Sequence, residues 1–426
     1  MARWRNWLVT AGVLTGLAVV PALAADPEPE APEADDPELE GTILGAKRER
    51  APIDVGLRKP GSQAVSPTIS SEDVAKRAAE QLDMDPELAV AIKDGLELLF
   101  LRKYEDARTH FYDLEKPFPG TGLAEVADVL VWQALMMENF DYRYDKQYWT
   151  SSKAARQALD AALAKEGNQA FENFLMAGVK GIEAIHTMRK SRYLPALTLA
   201  FETMDHIETT RSLAPDYTDL LLADGMYNYW RTVVTESAPM LPSFGDHKAE
   251  GIEQMQRVEA DGVFLGPPAT LSLAFTWIEE QDKPKARDAC LKNRRVYPDN
   301  VINNLVLGSV FVSEKKYDRA IKVFDEILED SPNNKRAVYW RGLALHKSGR
   351  LDQAMIEYET YLGFDYMEDY QRAQAWYRKG QVYERKKAWT DAESAYKTAV
   401  KTDSHKYAKK RLAAIKDKRK SGEIAE

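Results

Sequence analysis

The sequence predicts an all-α fold, an α-solenoid of stacked helix pairs closed by a C-terminal capping helix. Three observations predict it. Side chains of matched size recur at a spacing of 34: Gly308 and Gly342; Ala286, Ala320 and Ala354; Cys290, Phe324 and Tyr358; Pro298 and Pro332. A fixed period of this length marks a repeated supersecondary unit that stacks on its neighbours. Apolar residues between these anchors fall at helical spacing through most of the chain. At 426 residues, 44% hydrophobic and 29% charged, the chain is globular in composition and too long for one small domain, but suited to an array that grows by stacking.

The first 24 residues read as an address. Arg3 and Arg5 precede an uncharged run from Trp7 to Val20, then Pro21 and the small-residue site Ala22-Leu23-Ala24. This is the order of a secretory signal peptide cut after Ala24. The apolar core falls short of the ~20 residues a spanning helix needs. An uncleaved N-terminal membrane anchor is the alternative, because the uncharged stretch continues to Ala25. The expected location is the periplasm, with no integral membrane span after cleavage.

Residues 25–69 form an acidic, proline-rich tether. Between 26 and 40 lie eight acids, four prolines and no base, a composition that cannot bury a core. Order is expected from Ser70, where Ser70 and Asp73 can cap a helix running to Leu82. Overall the charge is −9, with Lys+Arg 58 against Asp+Glu 67, which argues against nucleic acid as a partner. The acidity lies mostly in the tether. The basic residues concentrate at the other end, where residues 401–420 hold nine Lys/Arg against two acids.

A first helix pair is expected within 70–121, and a divergent stretch of three modified pairs over 122–262. The turn Asp141–Thr150 is enlarged and aromatic. Four regular pairs follow over 267–406, with four extra residues around Phe364–Gln371. A basic capping helix and tail occupy 407–426, with Ala408, Leu412 and Ile415 on its inner stripe. Such an end cap solvates the last repeat, and its bases offer weak contact with an anionic surface.

The repeat has a packing rationale. Gly308, Gly342 and Gly380 in the first helices can face Ala320, Ala354 and Ala392 in the second helices, with Phe324, Tyr358 and Tyr396 filling the space beside them. The single cysteine, Cys290, falls at such a packed position and reads as a small buried hydrophobe. One cysteine also excludes an internal disulfide framework and a Cys-based zinc site.

These residues resemble the tetratricopeptide repeat family, with Gly308, Phe311, Ala320, Phe324, Ile327 and Pro332 at its signature places in 301–334. Gly95, Leu98, Ala107, Phe111, Leu114 and Pro119 supply a similar N-terminal copy. The stretch 217–230 with its preceding Pro215 is similar to a segment of exported bacterial members. The resemblance implies a right-handed solenoid whose first helices line a concave groove for a peptide or helix. It implies groove positions at Leu271, Phe275, Leu305, Tyr339, Leu343, His346, Tyr377 and Gln381. The family's carboxylate clamp needs Lys and Asn where this chain has Leu305/Ser309, Tyr339/Leu343 and Tyr377/Gln381, so capture of a free acidic C-terminus is disfavoured.

No reaction is expected. Glu183 and His186 have a Glu-x-x-His spacing, with Glu202 and His206 a helix later, but polar pairs on helices are common and no metal site is assigned. Ser313 and Lys316 have SxxK spacing within a regular repeat and read as coincidence. No cofactor motif is present. The expected role is a non-catalytic scaffold of the cell envelope with an unidentified protein or peptide partner. The alternative is a periplasmic ligand-binding component that serves a transporter, with a pocket at Tyr227, Tyr229, Trp230, Arg231 and Phe244, beside the loop 237–246.

Overall fold

A computed structural model describes residues 69–424 apart from 166, 168, 191 and 238–244. The expected signal peptide and nearly all of the tether lie outside the described residues, as does Phe244. Eighteen α-helices make up the secondary structure of the described residues. Helix α1 (Ser71–Leu82) is followed by eight pairs. The N-terminal four are α2 (Pro86–Phe100) with α3 (Tyr104–Asp113), α4 (Leu123–Asn139) with α5 (Asp145–Leu163), α6 (Ala170–Arg189) with α7 (Tyr193–Leu213), and α8 (Leu220–Ser237) with α9 (Lys248–Asp261). The C-terminal four are α10 (Gly266–Glu279) with α11 (Lys283–Val296), α12 (Val301–Ser313) with α13 (Tyr317–Asp330), α14 (Lys335–Ser348) with α15 (Leu351–Leu362), and α16 (Asp369–Arg385) with α17 (Trp389–Asp403). Helix α18 (Lys406–Lys420) ends the array. The all-α solenoid of helix pairs with a C-terminal cap is the fold the sequence predicts.

Local chemistry sets the helix starts. Ser70 accepts from the Asp73 amide at 3.0 Å, and Asp85 accepts from the Glu87 amide at 2.7 Å ahead of Pro86. Side-chain oxygens at these positions satisfy amides that have no partner within the helix. Asn300 and Asn334, 34 residues apart, cap α12 and α14 by accepting from the amides of Asn303 and Ala337, each at 2.9 Å. A further 34 residues on, Glu368 and Gln371 form a reciprocal capping box at α16. Gly349 ends α14 at φ 91, a left-handed conformation that favours glycine.

In the pairs α2–α3, α12–α13 and α16–α17, the first-helix glycine admits an aromatic ring. A Cβ on Gly308 would lie 2.4 Å from the Phe324 ring, on Gly380 2.5 Å from Tyr396, and on Gly95 2.5 Å from Phe111. This refines the expected packing: at these three glycines the nearest atoms belong to the ring, and Ala320, Ala354 and Ala392 are fully buried in the second helices. Phe324, Tyr358 and Tyr396 are fully buried, each contributing on the order of 2 kcal/mol through apolar burial. Cys290 is buried in the same layer, and burial pushes its thiol up.

The array is not held by neighbour contacts alone. Its N-terminal half folds against the edge of the regular repeats where the first helices begin. Asn334 Nδ2 donates to the Glu138 carbonyl at 3.2 Å, Arg336 to the Met137 carbonyl at 3.1 Å, Gln371 to the Phe140 carbonyl at 3.2 Å and Asn300 to the Phe100 carbonyl at 3.3 Å. Carbonyls at the ends of α2 and α4, which lack partners within their own helices, thus receive the row of first-helix starts. Lys335, buried, lies 3.4 Å from buried Asp141 and donates to the Tyr366 carbonyl at 2.6 Å. The enlarged turn after α4 and the extra residues before α16 therefore meet across this seam.

Candidate functional site

Four of the expected groove residues, Leu271, Phe275, Leu305 and Leu343, are buried in one apolar cluster with Phe311 and Phe324. They pack consecutive pairs together instead of lining an open groove. The reason is physical: such apolar side chains gain more by meeting the next repeat than by facing water. His346 is buried too. It lies 3.4 Å from the Tyr358 hydroxyl, and burial, with Arg378, Arg385 and Lys347 nearby, pushes its pKa down to about 4.

Tyr339, Tyr377 and Gln381 are half-buried and belong to one network. The Tyr339 hydroxyl accepts from Gln374 Nε2 at 3.2 Å and from Arg378 Nε at 3.3 Å. Arg378 also donates to Gln381 Oε1 at 2.9 Å, and Gln381 donates to the Tyr377 hydroxyl at 3.0 Å. The Tyr377 ring stacks on His405 at 4.6 Å, and His405 Nε2 hydrogen-bonds Gln374 at 2.8 Å. Exposed Tyr407 extends the patch 6.3 Å from Tyr377. Helices α14 and α16 supply the centre, and α18 with its preceding turn supplies the rim. Arg378, Gln374, His405 and Tyr407 were not among the residues singled out in the sequence. The adjacency of Arg378 to Tyr377 was the available signal.

The second expected site is a core. Tyr229 and Trp230 are buried with Met226, Met255 and Leu273. Tyr229 donates to Glu280 at 2.7 Å, which ties α8 to the end of α10. Tyr227 and Arg231 are half-buried, with the guanidinium 4.8 Å from the Tyr227 ring. Tyr229 and Trp230 are thus core residues, and the loop they were expected to border lies outside the described residues over 238–244. Phe244 lies outside the described residues.

The titratable pairs disperse. Glu183 accepts from Ser152 and lies 3.1 Å from Arg156, whereas His186 meets Asp145 at 2.6 Å. Glu202 pairs with Lys180 at 2.7 Å, and His206 hydrogen-bonds Asn173 at 2.9 Å. Among the described residues, no group of three or more His, Cys, Asp or Glu is placed to hold a metal. Ser313 donates to its own helix at Val310 and Lys316 pairs with Glu314, so the SxxK spacing brings no nucleophile to a base.

Residues 311–377 and 365–406 match family models of the tetratricopeptide repeat. The chain carries tetratricopeptide repeats over residues 311–406. Proteins with such repeats bind protein partners, which places this one among interaction scaffolds. No curated protein matches the chain. Similar solved structures include a tetratricopeptide repeat protein from Parabacteroides merdae, 15% identical, covering 67% of this chain and 98% of that one at a TM-score of 0.40. MamA from Desulfovibrio magneticus RS-1 is 16% identical, over 44% of this chain and 93% of its own, at 0.34. A human IFIT1 dimer with PPP-AAAA is 13% identical, over 84% and 88%, at 0.44.

Within the matched repeats, α14 and α16 are successive first helices, and their polar-aromatic patch is the part of the expected groove that stays accessible. Its hydroxyl, guanidinium and amide groups suit peptide carbonyls and carboxylates, and its rings suit apolar side chains. Helix α18 covers the last pair through Ala408, Ile415 and Leu412. Arg411 lies 2.6 Å from Glu384, while Lys406, Lys409, Lys410, Lys416 and Lys420 face outward.

Proposed function

We propose that this tetratricopeptide repeat protein is an exported, non-catalytic scaffold of the cell envelope that holds a protein partner on the Tyr339–Tyr377 patch. The observation that carries the reading is the continuous network from Tyr339 through Arg378 and Gln381 to Tyr377, half-accessible on two successive first helices. Aromatic and arginine side chains supply most of the binding energy at protein interfaces. A patch of this composition favours an extended peptide or helix with an apolar anchor and acidic neighbours. The signal-like residues 1–24 support export, and the acidic residues 26–40 would give the folded array reach from its point of attachment or release. Weak contact of the outward lysines of α18 with an anionic surface is consistent with this placement.

The test is capture from an envelope extract, followed by affinity measurement on the purified partner. A Tyr339→Ala/Tyr377→Ala double variant should bind at least tenfold more weakly, while Tyr227→Ala on the N-terminal half binds as the parent does. Equal binding by the double variant counts against the patch. Recovery of the full chain from the cytoplasmic fraction alone counts against export.

A further inference from the structure

The N-terminal half holds an apolar cavity of about 80 Å³. Helices α2, α4 and α6 present their inner faces to it, and Phe264 and Leu265, with Pro268 on α10, form a further wall. Its walls comprise only Ile, Leu, Phe, Val, Ala, Gly and Pro residues, including Phe111 on α3. Water in such a space finds no hydrogen-bond partners among the side chains, and cavities of this kind accept apolar guests.

The positions are the inward ones of a helix-pair array. Counted from Gly95 as the eighth residue, Ile92 and Leu96 are the fifth and ninth of the first regular pair, and both line the cavity. The wall at Phe264 and Leu265 is fixed from outside. Asp219, buried, accepts from the amides of Val263 at 2.9 Å and Phe264 at 2.8 Å, and from the Tyr217 hydroxyl at 3.1 Å. Arg77 from α1 donates to the Gly262 carbonyl at 3.2 Å. A Cβ at Gly262 would lie 2.6 Å from Asp219 Oδ1, so the turn that carries Phe264 accepts the carboxylate only with glycine there. The wall is pre-organised by hydrogen bonds, which lowers the cost of ordering it around a guest.

We propose that this cavity is a binding site for a small uncharged hydrocarbon group. The volume excludes a peptide helix, whose diameter with side chains is about 10–12 Å. The absence of a polar or charged lining side chain excludes a charged moiety from the interior. The occupant is therefore either a free apolar molecule or the tail of a small amphiphile. The site lies in the other half of the array from the Tyr339–Tyr377 patch and does not depend on the reading of that patch.

The test uses the full chain with 1-hexanol as probe. At millimolar concentration the alcohol should raise Tm by several degrees, through binding to the folded state. Leu96→Phe and Leu130→Phe, which add volume at two separate walls, should each reduce that shift at least threefold while remaining folded by circular dichroism. A crystal under xenon should show the gas between Phe111, Phe174 and Phe264, which checks the site without any substitution. Octanoate competing with 1-hexanol assigns the site to amphiphile tails, and failure to compete assigns it to free apolar molecules. No shift in the parent, an undiminished shift in both variants, or a xenon-free cavity overturns the proposal.

Discussion

Asn334 holds two helix ends at once: its Oδ1 accepts from the Ala337 amide at 2.9 Å while its Nδ2 donates to the Glu138 carbonyl at 3.2 Å. One side chain thereby starts α14 and finishes α4, nearly 200 residues earlier in the chain. Asn334→Ser keeps a capping oxygen but loses the donor to Glu138, and should cost about 1 kcal/mol. Asn334→Ala loses both and should cost about 2–3 kcal/mol. Urea unfolding of the three proteins checks the order.

Lys335 sits beside that cap with no exposed surface, between Asp141 and the Tyr366 carbonyl. Burial pushes its pKa down to about 8 against the opposing pull of Asp141. Asp141→Ala strands the ammonium in the seam and should destabilise by about 3–5 kcal/mol. Lys335→Met in the same chain should recover most of that loss. If the double variant is as unstable as the single one, the ion pair is not what the seam depends on.

The close approach of glycine to ring gives a packing test. Gly308→Ala places a methyl 2.4 Å from the Phe324 ring and should cost about 1–3 kcal/mol in thermal or urea unfolding. Phe324→Leu combined with it should cost less than the sum of the two single changes, since the smaller side chain leaves room for the methyl. Ala320→Phe, at a fully buried position, should destabilise in the same range.

His346 gives the pH dependence a sign. Its folded value of about 4 lies below the ordinary 6.5, so the unfolded chain takes up the proton first as pH falls. Stability carried by the neutral ring is intact above about pH 6.5 and is lost progressively toward pH 4. Asp219 opposes this, because burial raises its carboxyl to about 6 and its folded form gains relative stability as pH drops below that value. The net curve is therefore uninformative, and the comparison must be with His346→Gln. Between pH 7 and pH 4.5 the parent should lose on the order of 2 kcal/mol more than the variant. Parallel curves would mean that the ring is as readily protonated in the fold as out of it.

The repeats were legible because their determinants are local. Gly308 and Phe324 lie within one pair, and their recurrence as Gly342 with Tyr358 and Gly380 with Tyr396 reports a contact made again in each unit. The seam was not legible. Its acceptors are backbone carbonyls of Phe100, Met137, Glu138 and Phe140, which leave no side-chain signature, and its donors resemble ordinary helix caps. The only trace was that two departures from regularity, Asp141–Thr150 and Phe364–Gln371, had no explanation within their own repeats. The groove was half legible for a related reason. Inward positions were implied by the family resemblance, which cannot tell whether an inward leucine meets a partner or the next repeat. Leu305 and Leu343 meet the next repeat, while Ile92 and Leu96 in the first pair reach an open volume.

The row of hydrogen bonds from Asn300 to Gln371 joins the two halves into one unit. Amide hydrogen exchange at residues 138–141 tests it most directly, measured in the parent and in Asn334→Ala at the same pH and temperature. The Asp141 amide bonds the Met136 carbonyl at the C-terminal end of α4, and its protection should depend on a side chain that is remote in sequence. Exchange across 138–141 should be at least tenfold faster in the variant, with α17 and α18 unchanged. Unchanged exchange at 138–141 would contradict it, and would leave the molecule an open array held by neighbour contacts alone.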